Sequence, residues 1–314
     1  MMKTTFLVIS LIVDIIFIII ISFTFYIKQP IKTDSIIYIP KGSINQIISY
    51  LRSKNLPVTK IDSYILRTLG NPQTGYIDLE KKNFTKIDFL YKLTIAKSTN
   101  IDITLIPGES IYFFLQQASK KLNLSFEKLY KEYKKQSPLI DGFILANTYK
   151  IPIYMTEKKL IKYLINNSLK EHMKLSKEFL GKFDFKSWKR YLIIASIIQK
   201  EAKDRSEMPL VSAVIYNRLK RKMRLQMDGT LNYGIYSHIR VTPKRIKEDN
   251  SIYNTYKIKA LPLSPVASVS RDSIYFAINP ANVNYLYFVK GKDGYHKFSK
   301  SYKSHLRNIK YRNR

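Results

Sequence analysis

Phe6 to Ile27 reads FLVISLIVDIIFIIIISFTFYI, an almost unbroken apolar run. In hydrocarbon every backbone N–H and C=O must be satisfied within the segment, so a run of about 20 such residues has one folded solution, a membrane-spanning helix. A signal peptide is the competing reading. The run is longer than an ordinary signal-peptide core and no small-x-small cleavage site follows it, which favours an uncleaved anchor over residues 1–30. Lys3 stands on one flank and Lys28 and Lys32 on the other, so the positive-inside count leaves orientation open. Long domains cross regardless of charge, and an outward-facing body is allowed. Asp14 lies within the span, where an ionisable side chain marks either a helix partner or a tolerated defect.

The chain has 314 residues, of which 45% are hydrophobic, enough for two folded domains after the apolar segment. Lys and Arg number 54 against 23 Asp and Glu, a net charge of +31 that favours an anionic partner: nucleic acid, anionic lipid or an acidic wall polymer. No basic run coincides with a nucleic-acid-binding motif, so nucleic acid is not the expected partner. Cysteine is absent, which excludes disulfides and thiolate chemistry. The histidines, His172, His238, His296 and His305, form no H-E-x-x-H arrangement, so neither a metal nor a cofactor is expected.

Beyond the apolar run, Ile36 to Pro40 has β character, and Ser43 precedes a helical pattern at Ile44, Ile47, Ile48 and Leu51. A similar phrase returns as ITLIP from Ile103, then Gly108-Glu109-Ser110, then Ile111, Phe114 and Leu115. This weak strand-turn-helix repeat predicts two small α+β units with Ser43 and Ser110 as helix caps. Between them, Gln73 to Tyr76 is a turn entering a strand, and Ile87 to Ile95 a short helix. Pro138 to Tyr154 is a junction without helical periodicity, in which Asp141 is read as a turn residue rather than a second acid. A helix follows from Glu157 to Leu169, then a Lys-rich amphipathic segment to Phe185. Near the end, Tyr285–Lys290 and Tyr295–Phe298 flank a glycine turn and predict a hairpin. The basic tail beyond His305 is read as a solvated helix or frayed end.

Arg190 to Thr230 carries the chemistry. Ile194, Ile197 and Ile198 fall at i, i+3 and i+4 of one helical face, and Glu201 takes the i+7 position. Two readings stay open: a partly desolvated carboxyl with a raised pKa, or a side chain in the last turn that reaches water past the core. Gln199 falls on the polar side. In the next helix, capped by Ser206 with Pro209 in its first turn, Leu210 and Val214 define a stripe that Asn217 continues. Asn217 either faces Glu201 or is a core amide satisfied by backbone. Asp228, in the loop from Leu225 to Thr230, is the nearest candidate second carboxylate, although Asp before Gly is also a turn signal.

The ordered phrases ASIIQKEA, SAVIYNRL, RLQMDGTLNYG, SIYNTYKIKALPLSPVAS and NYLYFVKGKDGYHKFS resemble the membrane-anchored endolytic murein transglycosylases, the MltG/YceG-like family. The resemblance covers essentially the whole chain. It implies an α+β fold with an N-terminal transmembrane helix (1–30), a LysM-like α+β region (31–137) and a mixed α+β catalytic domain (138–314). It implies cleavage of the MurNAc-β-1,4-GlcNAc bond of nascent peptidoglycan glycan strands to leave a 1,6-anhydroMurNAc end and so terminate strand elongation, by a single-pass protein of the plasma (inner) membrane with its catalytic domain periplasmic, beside peptidoglycan synthases. The family's catalytic glutamate maps to Glu201, and Asn217, Gln226, Asp228, Asn254 and Thr255 match motif positions that line a groove. One acid suffices, because the substrate's own C6 hydroxyl replaces the second carboxylate of an ordinary glycosidase. Three departures stand out: Gln199-Lys200-Glu201 for the usual Glu-Lys-Glu, Asp228-Gly229-Thr230 for Asp-Pro-Thr, and Pro107-Gly108-Glu109 for Pro-Glu-Gly. A non-catalytic, membrane-anchored peptidoglycan-binding module is the alternative function, with Gln199 as a sign of decay.

Overall fold

The computed structural model describes residues 2–97 and 99–313. The chain divides into two compact units, Met1–Ile101 with Pro152–Tyr154, and Asp102–Ile151 with Met155–Arg314.

The first unit opens with α1 (Met2–Ile27). Its stretch Leu7–Ile27 has a mean hydropathy of 2.9 and is long and apolar enough to cross a membrane, a property that an anchor and a signal sequence share. After it come β1 (Pro30–Lys32), β2 (Ile36–Ile39), α2 (Ile44–Ser53), α3 (Lys60–Leu69), β3 (Gly75–Asp78), β4 (Asn83–Thr85) and α4 (Lys86–Ile95). Strands β1 and β4 pair antiparallel, as do β2 and β3. Ser43 closes a capping box with Gln46 at the start of α2, as its sequence predicts. Apolar positions at helical and strand spacing meet in one core, built on Ile39, Ile47, Leu51, Leu66, Ile77, Phe89 and Leu93. The last turn of α1 is tied to this unit through Tyr26, whose hydroxyl lies 2.6 Å from Thr59 Oγ1 and donates to Asp62 Oδ2 at 3.0 Å.

The second unit contains most of β5 (Asn100–Leu105), α5 (Ile111–Leu122), α6 (Phe126–Gln136), most of β6 (Asn147–Pro152), α7 (Glu157–Leu180), α8 (Phe185–Glu201), α9 (Met208–Lys220), α10 (Pro243–Glu248), α11 (Arg271–Ile278), β7 (Tyr287–Lys290), β8 (His296–Ser299) and α12 (Tyr302–Asn313). Strand β5 pairs with β6, and β7 with β8 as the expected hairpin. The helix expected to end at Leu169 runs on through the Lys-rich segment, with buried Leu175 and Ser176 extending its inner face.

Helix α8 is central, packed against α9 and α11. Leu192 to Ile198 are all buried, so the helix has no single apolar stripe there and is enclosed on every side. Buried His172 fixes α7 against it: His172 Nδ1 accepts from the Trp188 indole at 3.1 Å, and His172 Nε2 donates to the Phe143 carbonyl at 2.8 Å.

Two expected caps resolve differently. Ser110 precedes α5, but its hydroxyl donates to the Gly234 carbonyl, and the Ile111 N–H is taken by the carboxylate of Asp141. Ser206 does not cap α9. That helix starts at Met208 after Glu207, with Pro209 in its first turn as expected. Glu207 is drawn inward because its buried carboxylate accepts from the Lys203 N–H and meets His296 Nδ1 of the hairpin at 2.7 Å.

Candidate active site

Glu201 is the last residue of α8, and both open readings of it hold in part. It sits where the enclosed helix ends, and it is half-buried rather than sealed. Burial nevertheless pushes its carboxyl up to about 7, and the charge of Asp228 adds to the rise, while the Gly229 N–H and Arg218 pull the other way. The C-terminal end of a helix carries partial negative charge, which also disfavours a carboxylate there. The Gly229 N–H donates to Glu201 Oε1 at 2.7 Å. A carboxyl titrating near neutrality can both give and take a proton.

The loop facing Glu201 is held by a segment distant in sequence. Thr255 Oγ1 accepts from the Met227 N–H at 3.1 Å and lies 3.0 Å from Thr230 Oγ1, and the Thr255 carbonyl accepts from the Gln226 N–H at 3.1 Å. Gln226 has a φ of 48°, a left-handed conformation that a non-glycine residue adopts only when its surroundings hold it there. The Tyr256 hydroxyl donates to Asp228 Oδ1 at 2.6 Å. Asn254 holds the clamp itself: its amide donates to the Ile246 and Asp249 carbonyls at 2.9 and 2.7 Å, and its Oδ1 accepts from the Tyr256 N–H.

The five polar residues expected along a groove therefore divide. Gln226 and Asp228 are exposed. Asn254 and Thr255 are buried, the polar groups of Asn254 committed to its own clamp segment and those of Thr255 to the 225–230 loop. Asn217 is half-buried, and both hydrogen bonds of its Nδ2 go to the Val283 and Tyr285 carbonyls, at 2.8 and 2.9 Å. That matches the reading of Asn217 as an amide satisfied by backbone.

Several contributors were not singled out in the sequence. Arg218 donates from Nε to the Leu286 carbonyl and from Nη1 to the Leu225 carbonyl, both at 2.6 Å, so one guanidinium joins α9, the hairpin and the start of the 225–230 loop. Its signal was present, since Arg218 follows Val214 by four residues on the same helical face. Tyr256 directly follows Asn254 and Thr255 in the chain. Asp141 is more than a turn residue: it is buried, accepts from the Ile111 and Gly142 N–H groups, and is pushed up to about 7 by burial. Gln199 is half-buried, and its Oε1 is buried without a hydrogen-bond partner. Lys200 turns to Ser237, donating to its hydroxyl at 2.9 Å.

Together these features define a mixed α+β protein with one proton-tuned carboxyl at a helix end, faced by a clamped polar loop. The model of the YceG-like family matches residues 37–311, and the chain belongs to that family. The endolytic murein transglycosylase of Bacillus subtilis (strain 168) is 28% identical, over 89% of this chain and 85% of that protein. The protein of the same name from Streptococcus pneumoniae serotype 2 (strain D39 / NCTC 7466) is 28% identical over 62% of this chain, which spans 36% of its length. A crystal structure of a YceG-like protein from Listeria monocytogenes shares the fold, with a TM-score of 0.58 at 22% identity, covering 89% of this chain and 99% of that one.

Proposed function

We propose that this protein is an endolytic peptidoglycan lytic transglycosylase with Glu201 as acid and then base. The observation that carries the reading is the position of Glu201, half-buried at the end of α8 with a carboxyl raised to about 7. Protonated Glu201 gives its proton to the glycosidic oxygen between MurNAc and GlcNAc as the C1–O bond breaks. The MurNAc C6 hydroxyl then attacks C1, and its proton passes to the Glu201 carboxylate, which regenerates the acid. The products are a free GlcNAc hydroxyl and a 1,6-anhydroMurNAc end, and no water is consumed. Exposed Gln226 and Asp228 face the glycan, while Asn217, Asn254 and Thr255 hold the scaffold that presents them.

In this reading residues 138–314 carry catalysis, residues 31–137 form a LysM-like glycan-holding region, and α1 anchors the chain in the plasma membrane with the catalytic part outside. The names of the Bacillus and Streptococcus relatives support the substrate class. Mass spectrometry of digests of purified sacculi tests the reaction: lytic products lack the one water that hydrolytic products gain. Glu201→Gln is expected to abolish the anhydro ends, and their persistence would remove Glu201 from the mechanism.

A further inference from the structure

The loop at Gly229 approaches the end of α8 more closely than any side chain allows. A Cβ at this position would lie 2.6 Å from Lys200 Cβ and 2.9 Å from Glu201 Oε1. Glycine thus lets a backbone donor come within 2.7 Å of the carboxyl. The resembled family usually carries proline here, and proline has no N–H to offer.

We propose that Gly229 is a positioning residue for the reaction proposed above, on which this inference rests: its N–H fixes Glu201 Oε1 as an acceptor and so assigns the travelling proton to Oε2. An oxygen that accepts from an N–H acts as the carbonyl oxygen of the neutral acid, which leaves the other oxygen to hold the proton. After the proton has gone, the same N–H donates to a full carboxylate and becomes a stronger, charge-assisted bond. The loop therefore favours the ionised form through Gly229 while the adjacent Asp228 charge favours the protonated form. The other groups acting on Glu201 are Arg218 from α9, which favours ionisation, and Tyr256 from the clamp, which holds Asp228 in place. Lys200, next to Glu201 on α8, is turned to Ser237.

Two measurements on the full chain in detergent micelles test this. With 15N-glycine labelling only 10 amides are visible, and Gly229 is identified by the resonance that Gly229→Ala removes. Its shift is expected to titrate with a midpoint near 7 and to lose that titration in Glu201→Gln. A Gly229 amide that ignores pH between 5 and 9, or titrates unchanged in Glu201→Gln, overturns the assignment, and this readout does not depend on any variant at 229 remaining active.

The second measurement compares the pH–rate profile of Gly229→Ala, whose Cβ drives the N–H off Glu201 Oε1, with that of the parent. The alkaline limb of Gly229→Ala is expected about one pH unit above that of the parent, with about tenfold lower turnover at the optimum. Coincident profiles overturn the positioning role. If Glu201→Gln lacks anhydro products and Gly229→Ala coincides with the parent, only this inference fails. If Glu201→Gln still makes them, the reaction assignment beneath it fails.

Discussion

Tyr256 donates its hydroxyl to Oδ1 of Asp228 at 2.6 Å, joining two segments 28 residues apart across the mouth of the site. Burial and the Asp228 charge hold the Tyr256 phenol well above its ordinary range, so it remains a donor throughout the working pH range. Losing one such bond costs about 1 kcal/mol. Tyr256→Phe is expected to lower turnover by about fivefold, to leave the melting temperature within a few degrees, and to speed amide exchange across residues 226–231. Unchanged exchange there would show that the loop does not need this clamp.

The raised Glu201 carboxyl is a stability cost. Because its folded value of about 7 exceeds the ordinary 4.5, the folded state holds the proton over a range where the unfolded chain has lost it. Stability therefore falls as pH rises from about 4.5 through 7, and the loss is complete above that. Glu201→Gln escapes the loss. It is expected to be more stable than the parent by about 1–3 kcal/mol at pH 8, after allowance for partial solvation, with the two converging near pH 4. Chemical denaturation at both pH values measures this.

His172 works in the opposite direction. Burial lowers it to about 4 from an ordinary 6.5, so the folded state resists protonation that the unfolded state accepts. The neutral ring stabilises fully above 6.5, and that contribution is lost as pH falls toward 4, a loss of about 3 kcal/mol. His172→Gln is expected to start less stable at pH 7 and to narrow its gap to the parent by about that amount at pH 4.

Arg218 joins α9 to the Leu225 and Leu286 carbonyls through a planar fork that lysine cannot reproduce. Arg218→Lys keeps the charge but leaves buried carbonyls unpaired, at a cost of about 2–4 kcal/mol. Urea unfolding is expected to show this loss. A variant of parental stability would mean that the hairpin and loop are held by other contacts.

Much of the local structure was legible because it depends on short-range rules. The apolar run, the Ser43 capping box, the hairpin and Pro209 in the first turn of α9 each follow from spacing or from one residue's backbone preference. Local rules fall short where a distant group takes a neighbour's place. Ser110 holds the N-cap position of α5 as expected, but its hydroxyl donates to the Gly234 carbonyl and Asp141 takes the Ile111 N–H, while Ser206 loses the start of α9 to Glu207, whose carboxylate is claimed by His296. Gln199 follows the stretch of α8 that is buried all round, so its side chain is half-buried and its Oε1 is turned away from solvent.

The sequence by itself determined that this chain carries a long apolar helix, a body of mixed α and β elements, and a glutamate that closes the apolar stretch Leu192–Ile198, because hydrophobic period and residue chemistry are written along the chain. Only the tertiary structure decided what that glutamate can do. Its proton affinity is set by burial, by the Asp228 and Arg218 charges and by the Gly229 N–H at 2.7 Å, and those neighbours meet only when α9 and the clamped loop fold back on the end of α8. Electrostatic and hydrogen-bond energies depend on separations of a few ångströms, and such separations between residues far apart in the chain exist only in the folded molecule.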